Sequence, residues 1–396
     1  MRLILLILFT LLSFGAAQPG TLREVTLVET LSAAQIDAAT GGRFRNDGSD
    51  APGALYDVDS YLVTLDSTGF DGEASVITAQ VFVPRLDEPR PVFVFGAGST
   101  GLVEACAPSR GYAENRSLET YGAYTLAYAG QGFVSVMPNY EGFFDVGKLQ
   151  PYFVLKSEGQ TLLDAARATL ALGEREGFAT TETFVGGFSQ GGHAAFAAAD
   201  LASDYAPELE LSGVIGFGAT TDLTALFREF TYVAPWVVYA YDAFFPERIA
   251  PSDILLGGYA EQLEADAERF CVGGVQNYYP TDPAALYTPE FAEALAAGEL
   301  ETRFPEIYEL FAENDAGLAG HELPALMLQG VDDPVVTFET QTEFVEQLCE
   351  AGSPVRYPNY LRTRHETRYI GFAAATEWMN ALANGDDAPS DCDALP

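Results

Sequence analysis

Basic residues are scarce in this chain, and lysine is nearly absent from it. The 396 residues include 57 acidic side chains against 20 lysines and arginines, which gives a formal net charge of −37. Lys148 and Lys156 are the only lysines. A surface this acidic repels phosphate backbones and anionic lipid headgroups. We therefore expect no nucleic acid partner and no attraction to anionic membrane surfaces.

Long apolar runs are lacking beyond the N-terminus. After Met1 and Arg2 the chain is apolar to about Phe14, and small residues follow up to Ala17. This pattern is typical of a signal peptide. No later run reaches the roughly 18 uninterrupted apolar residues that a membrane span requires. We expect residues 1–17 to be removed and the mature protein to be secreted or periplasmic, with no stable membrane anchor.

Cysteine is also rare, and the usual metal motifs are missing. Four cysteines, an even number in a chain predicted to be exported, suggest up to two disulfides. The sequence alone does not choose among the three pairings; we expect Cys349 with Cys392 and Cys106 with Cys271. No C-x-x-C pair, H-E-x-x-H motif or EF-hand loop occurs. The sequence thus predicts no metal and no cofactor.

What the chain does contain is a G-x-S-x-G pentapeptide at residues 187–191, with Ser189 at its centre. Residues 183–186 before it are β-like, and the alanine-rich residues 193–202 after it favour a helix. A strand before and a helix after form the context that a nucleophile elbow needs. We therefore predict Ser189 as a nucleophile rather than an ordinary helix N-cap. The backbone N–H of Gln190 would then lie at a helix N-terminus, where it can stabilise an oxyanion.

A serine nucleophile requires a histidine base and an acid that orients it. In this arrangement the acid and then the histidine follow the serine, each after a later strand. Asp332 and Asp333 follow the apolar residues 325–329, and His365 follows a β-like run that begins at Pro354. We predict His365 as the base rather than a solvated loop residue. Asp333 is the favoured acid because it fills the aspartate position of a G-x-x-D-P-x-V loop, which leaves Asp332 as a turn residue.

The two remaining histidines have structural interpretations. His193 lies one helical turn after Ser189 and precedes the predicted acid, so we expect it to be a packing residue. His321 precedes a predicted strand and is expected in a loop.

These features together resemble the α/β-hydrolase superfamily and, more narrowly, the secretory-lipase-like esterases. The resemblance covers most of the mature chain and rests on paired strands near residues 61–67 and 76–84, the loop 98–101, and the segments 138–143, 163–168 and 187–193. The family commonly has H-G-T-T-G at its oxyanion loop, where this chain has Ala97 in place of the histidine. Because the donor is a backbone N–H, the resemblance implies Ser99 as the second oxyanion donor beside Gln190.

The same loop formally matches the G-x-G-x-x-G dinucleotide fingerprint at residues 96–101. A dinucleotide site should open a helix at once after the glycines. Here Cys106, Pro108 and Gly111 interrupt the following segment instead. We therefore do not predict dinucleotide binding.

The chain is long for a single ordinary core, and it alternates β-like and helical stretches from Pro91 onward. The fold predicted is α/β, an α/β-hydrolase fold with a mostly parallel sheet, helices on both faces and an inserted helical cap. We expect core at residues 18–221 and 321–396 and the cap at 222–320. The aromatic residues 230–245 within that cap either form its core or line an acyl pocket over Ser189.

The predicted activity is hydrolysis of a small-molecule or lipid carboxylic ester through a Ser-His-Asp triad and an acyl-enzyme. The family resemblance and the apolar cap imply that the bond cleaved is an ester. A serine peptidase or another acyl transferase on the same fold is the main alternative. A non-catalytic binding protein is a further one, but the presence of both Ser189 and His365 argues against it.

Overall fold

The computed structural model describes residues 18–113, 120–144 and 147–395. The predicted signal peptide at residues 1–17 lies outside the described residues.

One ten-stranded sheet organises the described part of the chain. Its strands are β1 (Leu22–Leu31), β2 (Val58–Thr68), β3 (Ala74–Pro84), β4 (Arg90–Gly96), β5 (Val134–Pro138), β6 (Thr180–Phe188), β7 (Leu211–Phe217), β8 (Ala325–Gly330), β9 (Val355–Arg356) and β10 (Asn359–Tyr360). They lie in the order β1-β2-β3-β5-β4-β6-β7-β8-β10, and β9 also pairs with β8. The pairs from β1 to β5 are antiparallel. All pairs from β5 onward are parallel.

The helices are α1 (Ala33–Asp47), α2 (Arg110–Ala113), α3 (Thr120–Gly130), α4 (Leu155–Glu176), α5 (Gln190–Tyr205), α6 (Leu223–Glu229), α7 (Ala234–Phe244), α8 (Pro251–Ile254), α9 (Gly257–Arg269), α10 (Val272–Tyr278), α11 (Pro283–Leu286), α12 (Pro289–Ala297), α13 (Leu300–Arg303), α14 (Pro305–Ala312), α15 (Phe338–Glu350) and α16 (Arg368–Ala383). Among the described residues, no helix is both long and apolar enough to cross a membrane.

Both faces of the sheet are covered, as the alternation of side chains along β4 shows. Val92 and Val94 are buried in a cluster with residues of α4, α5 and α15. Phe93 and Phe95 point to the opposite face and are buried in a second cluster with residues of α1, α3 and α16. Successive strand residues face opposite sides of a sheet, so a strand covered on both sides is apolar throughout. The predicted fold class is confirmed.

The segment between β7 and β8 forms a third packed cluster. Within the described residues it contains the nine helices α6–α14. Five of them, α7, α8, α11, α12 and α14, carry proline in the first turn, where its missing N–H costs no intrahelical hydrogen bond. The apolar side chains of this segment pack together, and Trp236 and Tyr241 of α7 are fully buried among them. The boundaries of a cap at residues 222 and 320 remain a prediction.

Both expected disulfides are present. Cys106 joins Cys271 with a Cα–Cα distance of 5.5 Å, which ties the loop after β4 to the start of α10. Cys349 joins Cys392 with a Cα–Cα distance of 5.6 Å, which ties α15 to the C-terminal tail. The loop after β4 continues into a short 3-10 helix at Glu104–Cys106 rather than a long helix, so the context that a dinucleotide fingerprint requires is missing there.

Candidate active site

Ser189 lies at the sharp turn between β6 and α5. Its backbone has φ 55° and ψ −115°, a conformation that a residue with a side chain rarely adopts and that surrounding structure must enforce. The Ser189 amide donates to the carbonyl of Phe217 at the end of β7, and its carbonyl accepts from the amide of Thr220. Two hydrogen bonds therefore hold the turn against the end of β7 and the residues that follow it. Ser189 is 3% exposed.

The glycines around Ser189 are required by close backbone contact. A Cβ built on Gly187 would lie 2.0 Å from the carbonyl oxygen of Gly191. A Cβ on Gly191 would lie 1.9 Å from the carbonyl oxygen of Gly96 on β4. No side chain fits at either position, because these distances are far inside van der Waals contact. The G-x-S-x-G spacing thus follows from how tightly α5 approaches the sheet.

Asp333 and His365 are brought together across 32 residues of sequence. His365 Nδ1 lies 2.9 Å from Asp333 Oδ2. Asp333 Oδ1 accepts hydrogen bonds from the amides of Val335 and Val336, at 2.8 and 3.1 Å. The Asp333 side chain is fully buried, whereas the neighbouring Asp332 is exposed. Of the two aspartates, Asp333 is therefore the one in contact with His365.

The second ring nitrogen of His365 has no hydrogen-bond partner among the described residues. Nε2 is buried and forms no hydrogen bond with any group in the described part of the chain. The ring packs against Phe188, with centroids 4.8 Å apart, and is 6.1 Å from the ring of Phe230 in the segment between β7 and β8. Nδ1 also lies 3.2 Å from where a Cβ on Gly218 would be. His365 is thus close to Gly218. The residue before it, Phe217, accepts the hydrogen bond from the Ser189 amide.

The loop that carries His365 is held by a buried arginine. Arg368 forms an ion pair with Glu366 and is 2% exposed. Its guanidinium lies over the rings of Phe188 and Tyr121, 4.4 and 4.5 Å from their centroids, a cation–π arrangement. Burial lowers the pKa of Arg368, but the charge and hydrogen bonds of Glu366 outweigh it, so the pKa is raised and the arginine stays charged.

The two predicted oxyanion donors both have buried, tethered side chains. Gln190 is the first residue of α5, and its side-chain amide donates to Glu158 at 2.7 Å. Ser99 lies in the loop after β4, and its hydroxyl is 2.5 Å from the hydroxyl of Tyr152. Ser99 also lines a cavity of about 400 Å³ together with Thr100, Tyr121 and both cysteines of the Cys106–Cys271 disulfide.

The other two histidines lie outside this pair. His321 is in the loop before β8, as expected, and its Nδ1 accepts from the amide of Leu323. His193 is fully buried, as expected of a packing residue. It also makes two polar contacts that the sequence did not indicate, to the carboxylate of Glu158 at 2.6 Å and to the carbonyl of Asn314 at 2.7 Å.

The described residues contain no group of three or more His, Cys, Asp or Glu side chains placed to hold a metal ion.

A model of the family described as "Secretory lipase" matches residues 123–391, about two thirds of the chain. The chain belongs to the secretory lipase family. Its curated relatives include the secreted triacylglycerol lipase LIP4 of Malassezia globosa, 24% identical over 342 residues that span 81% of this chain and 72% of the relative. Lipase 9 of Candida albicans is 25% identical over 338 residues, which span 78% and 70% of the two chains. Both of these relatives are named as lipases, and this chain is a carboxylic ester hydrolase.

Solved structures place this secretory lipase among the α/β-hydrolase folds. The rice cell wall degrading esterase LipA of Xanthomonas oryzae superposes with a TM-score of 0.73, at 17% identity, over 93% of this chain and 96% of the other. Candida antarctica lipase A in its closed state superposes with a TM-score of 0.68, at 20% identity, over 94% and 84% of the two chains. At these identities the likeness concerns the fold.

Proposed function

We propose that this secretory lipase is an exported serine hydrolase that cleaves carboxylic esters with Ser189 as nucleophile, His365 as base and Asp333 as the acid that orients the base. The observation that carries the proposal is the state of His365. Its Nδ1 is bonded to a buried carboxylate while its buried Nε2 has no partner in the described part of the chain. A histidine held on one side and free on the other is arranged to take a proton.

The chemistry follows from the hydrogen-bonding capacity of each group. A carboxylate only accepts, so Asp333 requires a proton on Nδ1 of His365 and leaves Nε2 as the acceptor. Nε2 removes the hydroxyl proton of Ser189 as Oγ forms a bond to the ester carbonyl carbon. The carbonyl oxygen becomes an oxyanion bound by the amides of Gln190 and Ser99. The C–O bond to the alcohol then breaks, and the alcohol leaves with the proton from His365.

Water completes the cycle by the same steps. His365 takes a proton from water, and the resulting hydroxide adds to the acyl carbon. The bond to Ser189 Oγ then breaks, and the proton returns to that oxygen. The carboxylic acid is the second product.

The proposed substrate is a lipid ester, and the proposed site of action is outside the cell. The M. globosa relative is named a secreted triacylglycerol lipase. Residues 222–320 are the proposed cap. Its rings approach the site at Phe230, near His365, and at Trp236, whose ring lies 5.9 Å from that of Tyr152. An apolar cap of this kind suits an acyl chain and excludes water during the reaction.

The test is hydrolysis of p-nitrophenyl esters from acetate to palmitate by wild type and Ser189→Ala. We expect wild type to be active and kcat of the variant to fall at least about 10,000-fold, as for other serine nucleophiles. Ser203→Ala is the matched control, because Ser203 is exposed on the same helix α5. Activity that survives in Ser189→Ala would overturn the assignment. Cleavage of peptides but of no ester would favour a peptidase.

A further inference from the structure

A buried carboxylate that the mechanism does not use lies behind the proposed oxyanion site. Glu158 is on α4, and its side chain has no exposed surface. Its Oε1 accepts from the side-chain amide of Gln190 at 2.7 Å and from the backbone amide of Phe153 at 2.9 Å. Its Oε2 is 2.6 Å from His193 Nδ1. Three groups, two on α5 and one just before α4, thus converge on one carboxylate.

His193 is the partner of the second oxygen of this carboxylate. The carbonyl of Asn314 only accepts, so His193 Nε2 carries a proton. Burial lowers the pKa of His193, but the charge and hydrogen bond of Glu158 and the bond to Asn314 outweigh it, so the pKa is raised. Glu158 and His193 therefore form a buried, hydrogen-bonded acid–base pair. Loss of either partner would leave a buried polar group without its hydrogen bond.

The same carboxylate reaches the second candidate donor through Phe153. The backbone of Phe153 has φ 55°, the left-handed region that side chains disfavour, and its amide is held by Glu158. The preceding residue, Tyr152, holds the Ser99 hydroxyl at 2.5 Å. Burial raises the pKa of Tyr152 well above its usual value, so the phenol keeps its proton. Glu158 therefore holds the Tyr152–Phe153 loop through the Phe153 amide, and this loop holds Ser99 through the Tyr152 hydroxyl.

We propose that Glu158 is the positioning residue of the oxyanion site: it holds Gln190 directly, and Ser99 through the Tyr152–Phe153 loop. This inference rests on the proposed function, because it takes the amides of Gln190 and Ser99 as the oxyanion donors. The network also reaches the proposed cap. Tyr241 of α7 donates to the carbonyl of Phe153 at 2.7 Å, and Asn314 follows α14. The donors and the cap are thus anchored to one carboxylate.

The expected size of the effect comes from the tolerance of oxyanion sites. Loss of one donor lowers kcat by about 100- to 1,000-fold, and a misplacement of about 1 Å can cost about 100-fold. Glu158→Ala leaves both donors in the chain but releases their anchors. We therefore expect kcat for p-nitrophenyl butyrate to fall about 10- to 100-fold, with KM changed less than about threefold.

Asp164→Ala is the matched control. Asp164 is also a buried carboxylate on α4, but it binds Ser67, Arg167 and Tyr205, none of which contacts the site. We expect it to lower the unfolding temperature and leave kcat within about threefold of wild type. Glu158→Gln can keep all three contacts, with the imidazole neutral, and should retain kcat within about fivefold. An equal loss of kcat in Glu158→Ala and Asp164→Ala, or an unchanged kcat in Glu158→Ala, would overturn the proposal.

A second readout reports on the oxyanion itself. A trifluoromethyl ketone adds to a serine to form an oxyanion, whereas the matching methyl ketone binds mainly as the ketone. Glu158→Ala should weaken binding of the trifluoromethyl ketone by about the factor lost in kcat. It should weaken binding of the methyl ketone by less than about threefold. Equal weakening of both compounds would contradict a role in holding the donors.

Gln190→Ala keeps the backbone donor and removes only its tether, so the proposal can still be tested if Glu158→Ala fails to fold. We expect a smaller loss of kcat than in Glu158→Ala, and a double variant no slower than Glu158→Ala. Unchanged kcat in Gln190→Ala, or losses that multiply in the double variant, would overturn the positioning role. Ser189→Ala assayed in parallel separates the two claims. Its inactivity beside an unaffected Glu158→Ala overturns only the positioning role, whereas its full activity overturns the proposed function too.

Discussion

Replacement of Asp333 by asparagine should disable His365, the proposed base, while leaving its surroundings nearly unchanged. Asp333 Oδ1 accepts from the amides of Val335 and Val336, which can only donate. The asparagine carbonyl oxygen must take that position, which turns its NH2 group toward His365 Nδ1. Nδ1 then has to accept, and the proton moves to Nε2. A protonated Nε2 cannot remove the proton of Ser189.

The size of the loss in kcat depends on how unfavourable the opposite orientation of the asparagine amide is. The opposite amide orientation would restore the tautomer but would leave two buried backbone N–H groups facing an NH2 group, at about 1–3 kcal/mol each. The wrong tautomer therefore dominates. We expect kcat to fall about 10,000-fold, which corresponds to about 5.5 kcal/mol in the activation free energy. The remaining contact, from Gln329 Nε2 to Oδ2 at 3.4 Å, is long, so its loss should matter little.

The assay is steady-state hydrolysis of p-nitrophenyl butyrate by Asp333→Asn and Asp332→Asn, with thermal unfolding of both. Asp332 is exposed, so its variant should stay within about twofold of wild type. A folded Asp333→Asn that keeps a tenth of the wild-type kcat would refute the reasoning. So would an equal loss in both variants.

Two further variants test the elbow and a buried acid. Gly187→Ala should abolish folded, active protein, since its Cβ would lie 2.0 Å from the Gly191 carbonyl oxygen. The control is Gly42→Ala, which has open space within α1 and should raise the free energy of unfolding by about 0.5–1 kcal/mol. Soluble expression and the unfolding temperature check both variants. Burial, followed by the charge of Asp222, raises the pKa of Asp315 to about 7. This carboxyl is favoured protonated in the fold, so its contribution to stability is lost as pH rises from about 4 to about 7. Asp315→Asn should therefore raise the unfolding temperature more at pH 8 than at pH 5, and an equal effect at both pH values would contradict this.

The sequence predicted the elbow, Asp333 and His365 because each of them lies in a recognisable local context. The tight turn at Ser189 forces glycine at fixed spacing, and the proposed acid and the proposed base each follow a strand in a known order. The continuous apolar run along β4 likewise indicates burial on both faces. Where a physical requirement acts on neighbouring residues, it leaves a pattern that can be recognised in one chain.

The Glu158 network was missed because no local motif marks Glu158, His193 or Asn314 as a member of it. Glu158 and His193 are 35 residues apart, and His193 and Asn314 are 121 apart. In the sequence His193 stands among alanines and glycines, which is typical of a packing residue. Only the packing of α4 on α5 and the position of the chain after α14 bring the three together. A lone histidine in an apolar helix carries no local sign of its partners.

The edge of the sheet was missed for a different reason. Among the described strands β1 pairs only with β2, and its side chains are mostly exposed or half-buried. A strand with no buried face shows no alternation of apolar and polar residues. β10 has two residues, Asn359 and Tyr360, too few for any periodic pattern. Both strands exist because a neighbouring strand offers them hydrogen bonds.

Covalent labelling of the proposed nucleophile, Ser189, tests the central claim most directly. A fluorophosphonate ester reacts with an activated serine and remains attached, so peptide mass spectrometry locates the modified residue. We expect one equivalent of label on the peptide that contains Ser189, loss of esterase activity in proportion to labelling, and no label on Ser189→Ala. Asp333→Asn should be labelled far more slowly. Ester hydrolysis that persists in fully labelled enzyme, or label on a different residue with loss of activity, would contradict the account.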